Sequence, residues 1–186
     1  QFHVYENGYV VLEGNTILET GEGEGPTDVD ETVTGKNGIL MPGMINTHCH
    51  IPMIPFRSLG DDCPDRLRRF LFPLELEAMN RELIGQSTRY GVCELLLSGV
   101  TSVLDMYYFE DQVAAACEEM GIRAYVGQTI IDMETCDSKN TDQSLAMCEE
   151  LIRKWKGHER IRPVVAPHAT NTNPPEVLKA AYELAE

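Results

Sequence analysis

The chain has 186 residues, and its 15 basic and 30 acidic side chains give a formal net charge of −15 at pH 7. This charge argues against a nucleic-acid partner, because binding a phosphate backbone needs clustered Lys and Arg. With 42% hydrophobic and 24% charged residues, the composition is that of a globular protein with a buried core, which excludes disorder and collagen-like structure.

The sequence also lacks membrane and secretion signals. No apolar run approaches the roughly 18 to 20 residues that a bilayer span needs, and the opening residues QFHVYENGYV lack the basic and apolar regions of a signal peptide. The six cysteines are widely spaced without a C-x-x-C pair, which predicts reduced thiols. We therefore expect a cytoplasmic protein without a membrane partner, and a homo-oligomer is compatible with these features.

Residues 1–42 carry short β-type runs separated by Gly-rich and acidic turns, which predicts part of a small β-domain. The strands predicted there are Phe2–Tyr5, Tyr9–Leu12, Thr16–Leu18 and Gly38–Leu40.

From residue 43 to residue 186, apolar strand-like runs alternate with helical patterns, as is typical of βα units with a parallel sheet. Apolar residues of the helical segments recur at spacings of three and four, so each helix has one face to lay on the sheet. The last helix is predicted to begin with Asn173 as its cap and Pro174 at its first position. The predicted strands are Met44–His48, Val100–Tyr107, Ile122–Ile131 and Ile161–His168, and the helical stripes are Val113, Cys117 and Met120, then Leu145, Cys148, Ile152 and Trp155.

Each predicted strand of the second region begins apolar and ends on polar or ionisable side chains. The carboxyl ends of parallel strands meet at one rim, where ligands bind, so these side chains are expected to converge on a single site. They are His48 and His50, Asp105, Gln128 with Asp132, and His168.

The strongest local motif is the His-x-His sequence that closes the first of these strands. Because side chains alternate along a strand, His48 and His50 face one side while Cys49 faces the other. Two imidazoles on one face make half of a hydrolytic metal site, which needs about three protein ligands and an open position for water. The structural alternative is that the two histidines lie at a strand end and only form hydrogen bonds to loops. Cys49 is predicted to be a buried spacer rather than a nucleophile.

Three further residues are candidates on weaker grounds. His168 is open to three interpretations: a third metal ligand, a substrate contact or a loop histidine. Asp105 is either a metal ligand, an acceptor that orients a ligand histidine, or a structural acceptor for the next helix or a loop N–H, which we favour. Glu75 lies among the apolar residues of Leu71-Phe-Pro-Leu-Glu75, an unusual place for an unpartnered carboxylate.

These motifs resemble the amidohydrolase superfamily, in particular its branch of methylthioadenosine/S-adenosylhomocysteine deaminases and chlorohydrolase-like proteins. The resemblance covers essentially the whole chain. It lies in the run from Pro42 through His48-Cys-His50 to Phe56-Arg-Ser-Leu-Gly-Asp-Asp, in Phe72-Pro-Leu-Glu75, Glu94-Leu-Leu-Leu-Ser-Gly-Val-Thr101, Asp105-Met-Tyr107, Gly121-Ile-Arg-Ala124 and Pro167-His168.

The resemblance implies a (β/α)8 TIM barrel that carries one divalent metal ion, Zn²⁺ first and Fe²⁺ as an alternative, with a small β-sandwich. His48 and His50 match the metal-binding pair, whereas Glu75 and His168 match substrate contacts, so His168 moves away from the third-ligand interpretation. The remaining ligands of the family, a His on the fifth strand and an Asp on the eighth, are expected beyond Glu186. No catalytic residue is therefore assigned within the chain, because the glutamate of the family's His-x-x-Glu motif is expected there too.

The size of the chain departs from this pattern. A barrel of this kind needs around 250 residues, whereas the segment 43–186 holds only the first four βα units beside part of the β-sandwich in 1–42. An open half-barrel exposes two strand edges and an unfilled interior, so the remainder of the barrel is expected from a longer protein or a partner chain.

The implied function is metal-dependent hydrolytic deamination of an aminated heterocycle of purine, nucleoside, pterin or pyrimidine type, by metal-activated water. The alternatives are hydrolysis of a C–Cl or amide bond at the same metal site, and an inactive fragment that lacks the distal catalytic residues. The prediction of an adenosine-like substrate is weaker than that of the deaminase class. Gln128 stands where adenosine-type relatives usually have Arg, and no Trp precedes the Pro-x-Glu segment.

Overall fold

The computed structural model describes residues 3–186, and its contacts divide the chain into two compact units that meet in sequence between Met41 and Pro42. The first unit contains one antiparallel hairpin of strands β1 (Gly8–Glu13) and β2 (Thr16–Glu22). Gly14 takes a positive φ of 58° in the two-residue turn between them, a conformation that glycine adopts without strain.

Two strands predicted in this unit are wrong in the described residues. The segment 38–40 forms no strand although it is β-type in composition, because a strand needs a paired neighbour and its Ile39 side chain is 90% exposed. Of Phe2–Tyr5, Phe2 lies outside the described residues and His3–Tyr5 form no strand.

The second unit begins with strand β3 (Met44–Cys49), a 3-10 helix (Ile51–Phe56) and a π-helical turn (Leu67–Leu71) that leads into helix α1 (Phe72–Ala78). Four helices and three strands then alternate along the chain. They are α2 (Arg81–Leu97), β4 (Val100–Tyr107), α3 (Glu110–Met120), β5 (Arg123–Ile130), α4 (Thr141–Trp155), β6 (Ile161–Pro167) and α5 (Pro175–Ala185).

The strands β3, β4, β5 and β6 form one parallel sheet in chain order. A doubly wound sheet reverses its strand order, whereas unbroken order with one helix per strand is the arrangement of a barrel wall. The predicted fold class, the first four βα units of a barrel, is confirmed. The strand bounds agree with those predicted to within about a residue, and β4 matches its prediction at both ends.

One face of the sheet carries the core. Val103 on β4 and Val126 on β5 are buried against the helices, together with Val113 of α3 and Ile84 of α2. Cys148 and Ile130 belong to a second cluster under α4 and α5. Leu145 and Ile152 pack against this cluster, as the helical spacing predicted. On the other face, Leu104 and Tyr125 are register partners and remain partly exposed, as expected of side chains that line a barrel interior.

The start of α5 differs from the prediction. The helix begins at Pro175 with Pro174 before it and without a side-chain cap. Asn173 is buried and its amide nitrogen donates to the carbonyl oxygens of Ile130 and Ala169 instead. Two prolines at the helix start leave fewer N–H groups to cap, so the side chain of Asn173 is free to bind the end of β5.

Candidate metal and substrate site

His48 and His50 lie side by side where β3 ends. Their ring centroids are 5.1 Å apart and the ring planes cross at 80°. The side chain of His48 is exposed and that of His50 is half-buried. The spacing that predicted a shared face therefore does bring the two imidazoles together at the carboxyl end of the sheet.

The ring of His50 has a fixed orientation. Its Nδ1 lies 2.6 Å from the carbonyl oxygen of Met106 on β4. Because a carbonyl only accepts, Nδ1 carries the hydrogen and donates, and Nε2 is left with a free lone pair. This is the arrangement in which histidines bind metals, with the second nitrogen held by a backbone carbonyl or carboxylate.

The thiol of Cys49 points away from both histidines. Its Sγ donates to the carbonyl oxygen of Leu104 at 3.4 Å. Burial, and then the charge of Asp105, raise the pKa of the Cys49 thiol well above its usual range, so it stays protonated. These contacts agree with the role of a spacer, but Cys49 is half-buried rather than buried as predicted.

Glu75 is buried in α1 with only 4% of its surface exposed, and its Oε1 accepts a hydrogen bond of 2.8 Å from the hydroxyl of Tyr107 at the end of β4. Burial raises the pKa of Glu75, while hydrogen bonding from Tyr107 and the charge of His50 oppose that rise. The Tyr107 ring lies 6.3 Å from that of His50. Tyr107 therefore joins the histidine pair to this carboxylate.

His168 follows directly after β6. Its backbone N–H donates to Ile130, its Nδ1 is 2.9 Å from the hydroxyl oxygen of Thr172, and its ring meets that of Phe72 edge-on at 6.0 Å. Burial, and then the charge of His50, lower the pKa of His168, so its imidazole is neutral at pH 7. Phe72 begins the helix that carries Glu75, and the four predicted site residues thus gather at one end of the sheet.

A complete metal site is not present among the residues that the structure describes. Within residues 3–186, no group of three or more His, Cys, Asp and Glu side chains is arranged to hold a metal ion. His48 and the free Nε2 of His50 nevertheless suit a divalent metal, since neutral imidazole nitrogens are common ligands of zinc and iron. The chain therefore presents two candidate ligands of a site that needs more.

Asp105 and Glu110 form a buried acidic pair behind the histidines, next to Cys49. Asp105 Oδ1 accepts a hydrogen bond of 2.6 Å from the N–H of Ile51, whereas its Oδ2 and both oxygens of Glu110 have no partner at hydrogen-bonding distance. Burial raises the pKa of both groups, and the charge of Asp105 raises the pKa of Glu110 further. Because Asp105 has the N–H donor, Asp105 is the more acidic of the two, and Glu110 keeps its proton to higher pH.

Three residues in or next to the site, Tyr107, Glu110 and Asp137, were not predicted from the sequence. Asp137 accepts hydrogen bonds from the Phe109 N–H, the Gln128 amide and the Thr135 hydroxyl. Gln128 is therefore buried in this network and is not a free substrate contact. Only Tyr107 carried a usable signal, because it is the last residue of β4 and so lies at the rim where the carboxyl ends of the strands meet. Glu110 and Asp137 had none, since acidic residues in polar segments of sequence are ordinarily exposed to solvent.

The family model for the amidohydrolase family matches residues 39–186. The chain belongs to the amidohydrolase family. Among curated relatives, it is 39% identical to a 5-methylthioadenosine/S-adenosylhomocysteine deaminase of Thermodesulfovibrio yellowstonii over 98% of this chain and 43% of the relative. It is 35% identical to a 5'-deoxyadenosine deaminase of Methanocaldococcus jannaschii over 99% of this chain and 45% of the relative.

Solved structures of the family have the same fold. An adenosine deaminase from Xanthomonas campestris with bound zinc is 33% identical, with a TM-score of 0.75 over 78% of this chain and 34% of that protein. A guanine deaminase from C. acetobutylicum is 21% identical, with a TM-score of 0.86 over 99% of this chain and 46% of that protein. The chain spans less than half the length of these amidohydrolases, and in residues 3–186 no helix is both long and apolar enough to cross a membrane.

Proposed function

We propose that this chain forms the substrate- and metal-binding first half of a hydrolytic deaminase that acts on an aminated heterocycle of the adenosine type. The observation that carries the proposal is the fixed ring of His50, which leaves Nε2 free and lies beside the ring of His48 and next to the Tyr107–Glu75 pair. The deaminase relatives support the reaction class.

We propose His48 and His50 as two ligands of one divalent metal ion, with zinc first and Fe²⁺ as the alternative. The zinc of the Xanthomonas campestris adenosine deaminase supports this choice. When bound, such a metal supplies Lewis acidity, which lowers the pKa of a water ligand toward neutrality. The Met106 carbonyl holds the His50 ring in the tautomer that this role requires.

Glu75 and His168 are proposed to bind the substrate. Glu75 accepts hydrogen bonds from the N–H or O–H groups of the substrate, and Tyr107 holds its carboxylate in place from behind. His168, neutral and oriented by Thr172, keeps one ring nitrogen for the heterocycle. The edge of Phe72 beside His168 adds an apolar wall.

The remaining parts of the site are proposed to come from residues outside this chain, because the described residues offer no third ligand and the chain spans only 43–45% of its deaminase relatives. These parts are the remaining metal ligands, the proton-transferring glutamate and the second half of the barrel. The complete protein is therefore the one to test. A cytoplasmic location stays a prediction.

The test is ammonia release by the complete, zinc-loaded protein from a panel of 5-methylthioadenosine, S-adenosylhomocysteine, 5'-deoxyadenosine, guanine, a pterin and a chlorotriazine. We expect ammonia release from at least one adenosine-type substrate, loss of activity after chelation, and recovery with zinc. His48→Ala with His50→Ala is expected to lower kcat/KM by at least about a hundredfold, while the bound metal falls below stoichiometry.

Two outcomes contradict the proposal. A metal-loaded protein that releases no ammonia from any panel member is not a deaminase of this class. Chloride release from the chlorotriazine without ammonia release from any nucleoside indicates the chlorohydrolase alternative.

A further inference from the structure

The last residues of β4 hold the residues around His50 by two separate hydrogen bonds. The Met106 carbonyl accepts from the ring of His50 at 2.6 Å, and the carboxylate of the preceding residue, Asp105, accepts from the backbone N–H of Ile51 at 2.6 Å. Ile51 directly follows His50 in the chain. One contact therefore fixes the imidazole, and the other fixes the backbone from which it projects.

Ile51 is also held from the opposite direction. A Cβ on Gly91 of α2 would lie 2.6 Å from Cγ2 of Ile51 and 3.2 Å from its carbonyl oxygen, so the absence of a side chain at Gly91 lets the helix pack closely on this residue. The side chain of Ile51 is buried as well. The backbone after His50 is thus confined between α2 and the carboxylate of Asp105.

The bond from the Ile51 N–H agrees with the favoured prediction that Asp105 accepts from a backbone N–H, whereas a helix cap and a metal ligand do not match its contacts. Helix α3 begins without a side-chain cap, so Asp105 does not cap it. The carboxylate is fully buried beside Cys49, which alternation places on the side opposite His48 and His50. Asp105 therefore does not share a metal position with them.

We propose that Asp105 is a positioning residue for His50: its hydrogen bond to Ile51 sets the backbone so that the His50 ring reaches the Met106 carbonyl and presents Nε2 to the metal. The inference rests on the proposed metal site. Residues that orient metal ligands in this way typically contribute 10- to 100-fold to metal affinity.

The experiment measures the zinc dissociation constant of the complete protein by competition with a chromophoric chelator. We expect Asp105→Ala to weaken zinc binding by about 10- to 100-fold. Asp105→Asn is expected to stay within a few-fold of the wild type, since its amide oxygen still accepts from Ile51. Val103→Ala is the matched control, because it opens the core two residues earlier on the same strand without touching Ile51. It should leave the constant unchanged.

A second measurement follows the His50 ring itself. In protein with ¹⁵N-labelled histidine, the metal-free wild type should show His50 with hydrogen on Nδ1, and Asp105→Ala should convert it to a mixture of tautomers. If Asp105→Ala yields no folded protein, Asp105→Ser takes its place with the same expectation, because its short hydroxyl does not reach Ile51.

His50→Ala distinguishes a failure of the proposed metal site from a failure of the positioning role of Asp105. If it leaves zinc binding unchanged, the proposed metal site itself is wrong. If it weakens binding but Asp105→Ala behaves like Val103→Ala and the His50 tautomer stays fixed, the site stands and the positioning role of Asp105 is overturned.

Discussion

Tyr107 connects the histidine pair to the carboxylate proposed to bind substrate. Its hydroxyl donates a hydrogen bond to Glu75. Burial raises the pKa of Glu75, and this hydrogen bond lowers it. Tyr107→Phe should therefore raise the pKa of Glu75 further and weaken its hold on substrate. A hydrogen bond to a charged group contributes about 1.5–3 kcal/mol, so we expect kcat/KM at neutral pH to fall roughly tenfold or more.

The pH dependence of kcat/KM provides the measurement. An ionised Glu75 is lost as the pH falls through its pKa, so the acidic limb of the profile should move to higher pH in Tyr107→Phe. Tyr108→Phe is the control, since Tyr108 lowers the pKa of Glu75 less than Tyr107 does, and this variant should give a smaller shift in the same direction. An acidic limb that does not move in Tyr107→Phe contradicts the proposed role of Glu75.

Glu110 makes the stability of the protein depend on pH. Burial and the charge of Asp105 raise its pKa well above the ordinary value of 4.5. Below pH 4.5, Glu110 is protonated in both the folded and the unfolded protein, so its titration does not lower the free energy of unfolding. As the pH rises through the raised pKa, stability is lost, because the unfolded state releases the proton more readily. Each unit of raised pKa corresponds to about 1.4 kcal/mol.

Glu110→Gln removes this dependence, because the amide does not titrate. The free energy of unfolding in urea, measured from pH 4.5 to pH 8, should rise in the variant relative to the wild type, and the difference should widen with pH. Glu119→Gln is the control. Its exposed carboxylate pairs with Arg89, which lowers its pKa, so its effect should be small and opposite in sign. Parallel curves for Glu110→Gln and the wild type would falsify the raised pKa.

The candidate site shows what one sequence reveals at the residue scale. The spacing of His48 and His50 predicted a shared face, since alternation along a strand is local geometry. Glu75 and His168 were selected through the family resemblance, and the sequence contained no sign that Tyr107 binds Glu75. Such contacts join residues 32 positions apart, and a local pattern carries no information about them.

At the scale of elements, the one predicted helix start, that of α5, differs from the structure. Asn80 and Asn140 cap α2 and α4 by accepting the N–H of the residue three positions on, whereas Asn173, predicted as a cap, instead ties the loop after β6 to β5. All three have the same side chain before a helix. Whether it caps depends on the free N–H groups, which the prolines before α5 reduce.

Asn140 should contribute measurably to the stability of α4. Its side chain accepts from the Gln143 N–H at 3.0 Å, and loss of such a cap costs about 1 kcal/mol, within a range of about 0.5–2. Asn140→Ala should lower the free energy of unfolding in urea by this amount. Asn140→Asp keeps an acceptor at the helix start and should stay near the wild-type value. Equal losses in both variants would show that the cap is not the cause.

At the scale of the whole molecule, the four-stranded sheet has one face buried under helices and another face on which Leu104 and Tyr125 are exposed. Alternating βα patterns predicted the four parallel strands, because an apolar strand followed by an amphipathic helix permits few arrangements. The open face was predicted from length alone, since four strands do not close a barrel. Parallel sheets are normally covered on both faces, so Leu104 and Tyr125 are expected to be covered in the complete protein.

Tyr125 gives a direct test of that expectation. Its side chain is 51% exposed on the open face and pairs in register with Leu104. Expressed alone, residues 1–186 should self-associate through this face and the edges of β3 and β6, giving a mass above the 20.8 kDa of one chain in light scattering. Tyr125→Lys should reduce that association, because burying an unpaired ammonium between two copies is costly.

The same substitution should act in the opposite way in the complete protein. There the second half of the barrel would enclose residue 125, and burying an unpaired ammonium costs several kcal/mol. Tyr125→Lys should therefore lower the thermal midpoint by several degrees or prevent folding, while Tyr182→Lys, on the exposed surface of α5, should change it little. Equal tolerance of Tyr125→Lys in both forms would mean that the complete protein leaves this face open, and the barrel proposed here would then be wrong.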